Sequence, residues 1–156
     1  HRDLHSFPTR RSSDLHIFYT VKDDRRFVFH AEAVRRESAR QSVYGDKRAD
    51  PGGKTWDDVW VIPRLTGTCE ERMPGFPTQV PLAVLRPIVG CASDPGDLVV
   101  DPFAGSGTTV VAAVEAGRRA LGIEHCRRYC DLARRRVSLA GSSSPGANGA
   151  RRKATS

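Results

Sequence analysis

The segment 98–109, LVVDPFAGSGTT, constrains the fold of this chain more than any other stretch. Its apolar start follows the turn-forming residues 95–97, a pattern typical of a buried strand entered from a turn. Its end, Thr108 and Thr109, precedes an apolar run, which predicts a helix that begins at a Ser or Thr cap. Two glycines separate these parts, so the segment predicts a strand, a tight loop and a helix N-terminus.

This arrangement can hold a ligand at the loop. Glycine allows close approach to the backbone, and a helix N-terminus offers unpaired N–H groups to an anionic group. A second predicted strand, 120–123, ends in Glu124, whose carboxylate lies where nucleoside-binding α/β folds hold ribose hydroxyls. The alternative is a loop that only joins two elements. No GKS or GKT follows the glycines and the third glycine of GxGxxG is absent, so neither phosphate-binding fingerprint is present.

Three segments together carry a family resemblance. Residues 101–109, DPFAGSGTT, resemble the S-adenosylmethionine motif of DNA amino-methyltransferases, and residues 76–81, FPTQVP, resemble the PTQKP segment of one permuted subclass. Further positions fall at the family's spacing: Gly117, Arg118, Gly122, Ile123, Glu124, Tyr129, Ala133 and Arg136. The resemblance implies an α/β fold, a partial Rossmann-like methyltransferase domain with three αβα layers.

The resemblance also implies a cofactor and a reaction. S-adenosylmethionine would donate a methyl group to adenine N6 or cytosine N4 in DNA. The implied cofactor-binding residues are Thr78, Gln79, Asp101, Phe103, Ala104, Gly105, Gly107, Thr108 and Glu124. Asp101 could equally cap the following loop. Val80 stands where the family usually has lysine, which puts a charge contact from that position in doubt.

The family's catalytic loop, (Asp/Asn/Ser)-Pro-Pro-(Tyr/Phe), has no counterpart, because the sequence contains no Pro-Pro pair. We therefore assign no catalytic residue and expect an N-terminally truncated fragment that is inactive alone. Two alternatives are a non-catalytic fragment that binds DNA or cofactor and an enzyme of another kind, such as an RNA or small-molecule methyltransferase or a nucleotide-dependent oxidoreductase.

Composition and the family resemblance together divide the chain into three segments. We expect a disordered or foreign leader at 1–15, the C-terminal part of a methylase domain at 16–140, and a disordered basic tail at 141–156. Within the domain, 31–75 is the expected target-recognition region and 76–140 the cofactor-binding half. Strands are predicted at 16–21, 27–29 and 56–62, with helices at 81–89 and 127–139. Arg134, Arg135 and Arg136 are predicted to form mostly a solvated face.

A formal net charge of +7 and a pI near 9.7 favour an anionic partner. We expect double-stranded DNA, contacted by Arg48, Lys54 and Arg64, and a cognate restriction endonuclease is a further candidate partner. We expect reduced cysteines rather than a metal site, no membrane partner, and a cytoplasmic location of prokaryotic or phage type.

Overall fold

The computed structural model describes residues 15–142, and the predicted leader and tail fall almost entirely outside this range. The elements run in chain order as a 3-10 helix Ala31–Val34, β1 Arg35–Arg36, α1 Ala39–Ser42, β2 Lys54–Thr55, α2 Leu82–Ala92, β3 Leu98–Asp101, α3 Thr108–Glu115, β4 Arg119–Gly122 and α4 Arg127–Ser142. Within residues 15–142 no helix is both long enough and apolar enough to cross a lipid bilayer.

The centre of the fold is a βαβ unit. Strands β3 and β4 pair in parallel, from Leu98 opposite Arg119 to Asp101 opposite Gly122, and α3 connects them. A parallel pair requires such a crossover, since a tight turn can join only antiparallel strands. The predicted α/β class with a partial Rossmann-like arrangement is confirmed by this unit.

The core lies where α2, α3 and α4 meet one face of this sheet. Its buried residues are Leu82, Val89, Val111, Ala112 and Ala113. Val99 and Ala120 pack against them from the sheet. The strand residues that alternate with these two face the other way, and Leu98, Val100 and Leu121 remain about half exposed. Within residues 15–142, two layers are therefore formed and the outer face of the sheet is open.

Glycines in the left-handed region mark both ends of α3. Gly107 (φ 75°) is the N-cap and makes no side-chain cap, so the predicted Ser or Thr cap is wrong. Gly117 (φ 74°) follows the C-terminus, where its N–H donates to Val114 O and the next N–H donates to Ala113 O. These bonds satisfy carbonyls that have no partner inside the helix.

The first part of the described chain departs from the sequence-based prediction. Residues 16–21, 27–29 and 56–62 contain no strand. The chain does reverse near Asp23, and Tyr19 packs edge-on against Phe27 and Phe29. The β-branched and aromatic composition led to the strand prediction, but a strand forms only where another strand pairs with it. Here only β1 and β2 pair, over two residues each.

Candidate cofactor-binding site

The loop between β3 and α3, residues 102–107, lies over the carboxyl ends of both parallel strands. Ala104 N–H donates to Ile123 O at 2.8 Å, and Ile123 N–H donates to Asp101 O at 2.8 Å. The Asp101 carboxylate accepts from Phe103 N–H at 3.0 Å, so this side chain caps the loop. The carboxyl end of a parallel sheet is where α/β folds bind ligands.

Glu124 fastens this loop to the segment that leads into α4. Its carboxylate accepts from Cys126 N–H at 2.8 Å and from Gly105 N–H at 3.0 Å. These two hydrogen bonds, that to Cys126 first, and the nearby His125 lower the pKa of Glu124. The side chain is 15% exposed, and a carboxylate has about four acceptor positions, so positions remain for a ligand.

Protein packing explains why two loop positions and the last residue of β4 are glycine. A Cβ at Gly105 would lie 2.9 Å from the Phe76 ring, and one at Gly107 would lie 2.9 Å from the Ala133 Cβ. At Gly122, a Cβ would lie 2.8 Å from a Val110 methyl group. Phe76 thus packs directly on the glycine loop at Gly105, and its ring also packs edge-on against Tyr129 of α4.

Several backbone N–H groups at the start of α3 have no partner within residues 15–142. Among the described hydrogen bonds, the N–H groups of Thr108, Thr109 and Val110 find no acceptor. Together with the helix dipole they favour a negatively charged or carbonyl-bearing group.

The Thr108 side chain is held in a buried polar network instead of facing an open surface. Its hydroxyl donates to Val80 O at 3.0 Å and accepts from Arg136 Nη1 at 2.6 Å. Arg136 is only 7% exposed, so its predicted place on a solvated face is wrong. The sequence carried a signal for this, because Arg136 lies three and seven residues after Ala133 and Tyr129, on the apolar face of α4.

Gln79 is likewise buried and engaged. Its Nε2 donates to Glu71 O at 2.6 Å, and its Oε1 accepts from Met73 N–H at 2.7 Å. Thr78 is exposed beside it. The direct cofactor contacts of Gln79 and Thr108 stay predictions, and any such contact would have to compete with these internal bonds.

The remaining predicted residues differ in accessibility. Phe103 is 87% exposed at the loop, whereas Ala104 is buried. An open groove of about 410 Å³ lies elsewhere, between α2 and the amino end of β3, and includes neither Gly105 nor Glu124. The loop and Glu124 therefore form an open ledge within residues 15–142.

The three predicted DNA-contacting residues lie apart from this ledge in sequence and differ in their partners. Arg48 pairs with Asp46 at 3.2 Å, and Lys54 pairs with Asp57 at 2.8 Å. Arg64 is exposed and has no ion pair among the described contacts. Their contact with DNA stays a prediction.

The family model for DNA methylase matches residues 9–135. The chain belongs to this DNA methylase family. DNA adenine methyltransferase YhdJ of Escherichia coli (strain K12) is 36% identical over 131 residues, which cover 80% of this chain and 44% of that protein. Type II methyltransferase M.ScaI of Streptomyces caespitosus is 31% identical over 134 residues, covering 82% and 43%. The chain thus spans less than half the length of these curated relatives.

Two solved structures are also similar over part of the chain. TTHA0409 of Thermus thermophilus, complexed with S-adenosyl-L-methionine, is 47% identical over 42% of this chain and 26% of that one, with a TM-score of 0.39. The M1.HpyAVI–SAM complex is 40% identical over 40% and 33%, also with a TM-score of 0.39. Superpositions that cover so little of the chain do not establish its fold.

Proposed function

We propose that residues 76–140 bind S-adenosylmethionine on the ledge formed by loop 102–107 and Glu124. The chain would be the cofactor half of a DNA amino-methyltransferase that modifies adenine N6 or cytosine N4. The observation that carries the proposal is the hydrogen bond from Gly105 N–H to Glu124 at the carboxyl ends of two parallel strands. It fixes an acidic side chain beside a glycine loop at the edge where α/β folds bind nucleosides.

The groups available on the ledge suit this cofactor. Glu124 keeps acceptor positions for ribose hydroxyls, and the exposed Phe103 ring offers a flat apolar surface to the adenine or the methionine chain. Thr78 is free to hydrogen-bond the amino-acid end. Gln79 and Thr108, whose polar atoms are already bonded, would instead hold the FPTQ segment and α3 in place. When bound, S-adenosylmethionine supplies an electrophilic methyl group.

DNA is the substrate that the relatives support. YhdJ is named a DNA adenine methyltransferase, and M.ScaI is named a type II methyltransferase. The net charge of +7 suits contacts with phosphates. Of the three predicted residues, Arg64 is exposed and has no ion pair among the described contacts. A cognate restriction endonuclease remains part of the proposal because of the type II relatives.

Methyl transfer by this sequence alone is not part of the proposal. The Pro-Pro loop that holds the extruded base is missing from the sequence. We therefore propose that the chain binds the cofactor and does not by itself methylate DNA.

Isothermal calorimetry with S-adenosylmethionine tests the cofactor proposal directly. The full chain should show saturable binding, and Glu124→Gln should weaken it at least tenfold, since an amide cannot accept from both N–H groups and ribose. Glu115→Gln on α3, which removes the same charge from an ion pair with Arg86, should bind as the unmodified chain does. Equal affinity of all three proteins would refute the ledge as the site.

A second assay tests the absence of catalysis. Tritiated S-adenosylmethionine is incubated with the chain and duplex DNA that contains adenine and cytosine in mixed sequence. We expect no label in the DNA. Incorporation of label would overturn this part of the proposal, and leave the cofactor site intact.

A further inference from the structure

A partly buried ion pair joins α4 to the segment in front of α2. Arg136 Nη2 lies 2.7 Å from Glu71 Oε1, and the two side chains are 8% and 23% exposed. Burial lowers the pKa of Arg136, and the Glu71 carboxylate opposes this shift. A guanidinium withdrawn from water is costly unless it is paired and hydrogen-bonded, so the contacts it makes indicate what it holds.

Those contacts connect four parts of the chain. Glu71 Oε1 also accepts from Leu82 N–H at 2.8 Å, and so caps α2, which has no cap of its own. Arg136 Nη1 reaches Thr108 at the first turn of α3. Thr108 in turn bonds to Val80 O. One guanidinium therefore holds the starts of α2 and α3 in a fixed relation.

The segment between these anchors carries the cofactor prediction. Residues 76–81 run from Phe76, which packs on Gly105, to the N-terminus of α2. Gln79 is tied to Glu71 O and to Met73 N–H. Exposed Thr78 thus has a fixed backbone on both sides, although its own side chain makes no hydrogen bond to another group within residues 15–142.

We infer that Arg136 is a positioning residue for S-adenosylmethionine binding: through Glu71 and Thr108 it holds the 76–81 segment against the glycine loop. The inference rests on the proposed function, because it concerns the same ledge. Arg136 makes no hydrogen bond to Glu124, and its Nη1 lies 3.5 Å from the carbonyl and hydroxyl oxygens of Ser106 on the buried side of the loop. These contacts order the 76–81 segment before the ligand binds, which reduces the conformational entropy lost on binding.

The test compares Arg136→Met, Arg136→Lys and Arg86→Met in the full chain. Arg86 supplies the matched control, since it pairs with Glu115 across α2 and α3 but lies on the exposed side. Two readouts are taken from each protein: the Kd for S-adenosylmethionine by calorimetry, and the hydrogen exchange of the Leu82 and Met73 amides by NMR without ligand.

We expect Arg136→Met to weaken binding at least tenfold and to speed exchange of both amides at least tenfold. Arg136→Lys should give intermediate values, because an ammonium group can still pair with Glu71. Arg86→Met should leave the Kd and both amides within twofold of the unmodified chain. A folded Arg136→Met protein with unchanged Kd, or an equal loss in Arg86→Met, would overturn the inference.

Thr108→Val keeps the test decisive if Arg136→Met fails to fold. This change of nearly the same shape removes the hydroxyl that joins Arg136 to Val80 O, and it should also weaken binding; unchanged affinity would overturn the inference. If the unmodified chain binds no S-adenosylmethionine, the proposed function fails. Faster Leu82 exchange in Arg136→Met would then show that Arg136 only stabilises the fold. That result would overturn the positioning role separately.

Discussion

Ion pairs occur both in the leading segment, residues 15–61, and in the cofactor half, residues 76–140, but their surroundings differ. Arg35 and Asp50 pair at 2.6 Å with side chains 38% and 54% exposed. Arg136, in the cofactor half, is 8% exposed in its pair. The leading segment also leaves Phe18 and Val61 85% and 91% exposed. A polar contact orders the chain strongly only where apolar packing removes water around it, so the two regions should respond differently to matched substitutions.

Gly107→Ala should have the largest effect. The substitution places a side chain at φ 75° and brings a Cβ to 2.9 Å from Ala133. Left-handed backbone and overpacking together should lower the free energy of unfolding by about 2–4 kcal/mol, measured by urea denaturation. Gly45→Ala in the leading segment has φ 59° and no atom within 4 Å, so it should cost about 1 kcal/mol. Equal losses would contradict the packing explanation.

Val111→Ala should have the next largest effect, because Val111 is 2% exposed in the core. Loss of two buried methyl groups should reduce the free energy of unfolding by about 2 kcal/mol. Val61→Ala removes the same atoms from a side chain that is 91% exposed. It should change stability by less than about 0.5 kcal/mol. A large loss at Val61 would show that the leading segment packs more tightly than its exposure indicates.

The same contrast explains which elements could be predicted from the sequence. β3, α3 and β4 were predictable because each packs on its neighbour in the chain, so local periodicity was enough. The strands predicted at 16–21 and 56–62 failed because pairing partners, which the local sequence does not specify, are missing in residues 15–142. The apolar face of α4 indicates that Arg136 is buried, but its partner Glu71 lies 65 residues away, and no local pattern identifies that partner.

Site chemistry was predictable to a similar extent. The loop cap by Asp101 and the place of Glu124 follow from residues close to the motif. The internal bonds of Thr108 and Gln79 depend on the path of residues 71–82, which sequence periodicity did not define. Local motifs thus predicted the ledge, whereas the network beneath it required the three-dimensional structure.

Acid should loosen the ledge in a defined pH range. Because the pKa of Glu124 lies below its ordinary value of 4.5, the carboxylate stabilises the fold above that pH, and this contribution disappears as pH falls through the lowered pKa. NMR titration should show the lowered pKa together with faster exchange of the Gly105 amide in acid. Glu124→Gln should abolish this pH dependence of the amide.

Asp50 provides the corresponding titration in the leading segment. Its pKa is also lowered, first by the Gly52 N–H and then by Arg35. Its protonation should leave the Gly105 amide and the affinity for S-adenosylmethionine unchanged, so Asp50→Asn should keep their pH dependence. A Glu124 pKa at or above 4.5 would contradict the hydrogen bonds to Cys126 and Gly105.

The smallest effect is expected for the Arg35–Asp50 pair. A double-mutant cycle with Arg35→Met and Asp50→Asn should give a coupling free energy near zero, since water screens both exposed groups. An asparagine at position 50 can still accept from Gly52 N–H, so the turn is retained and the cycle isolates the ion pair. Any coupling should shrink further in about 1 M salt, where the Debye length is near 3 Å. A large coupling that salt does not reduce would mean that the pair is shielded from water, and the distinction between the two regions would then rest on the apolar core alone.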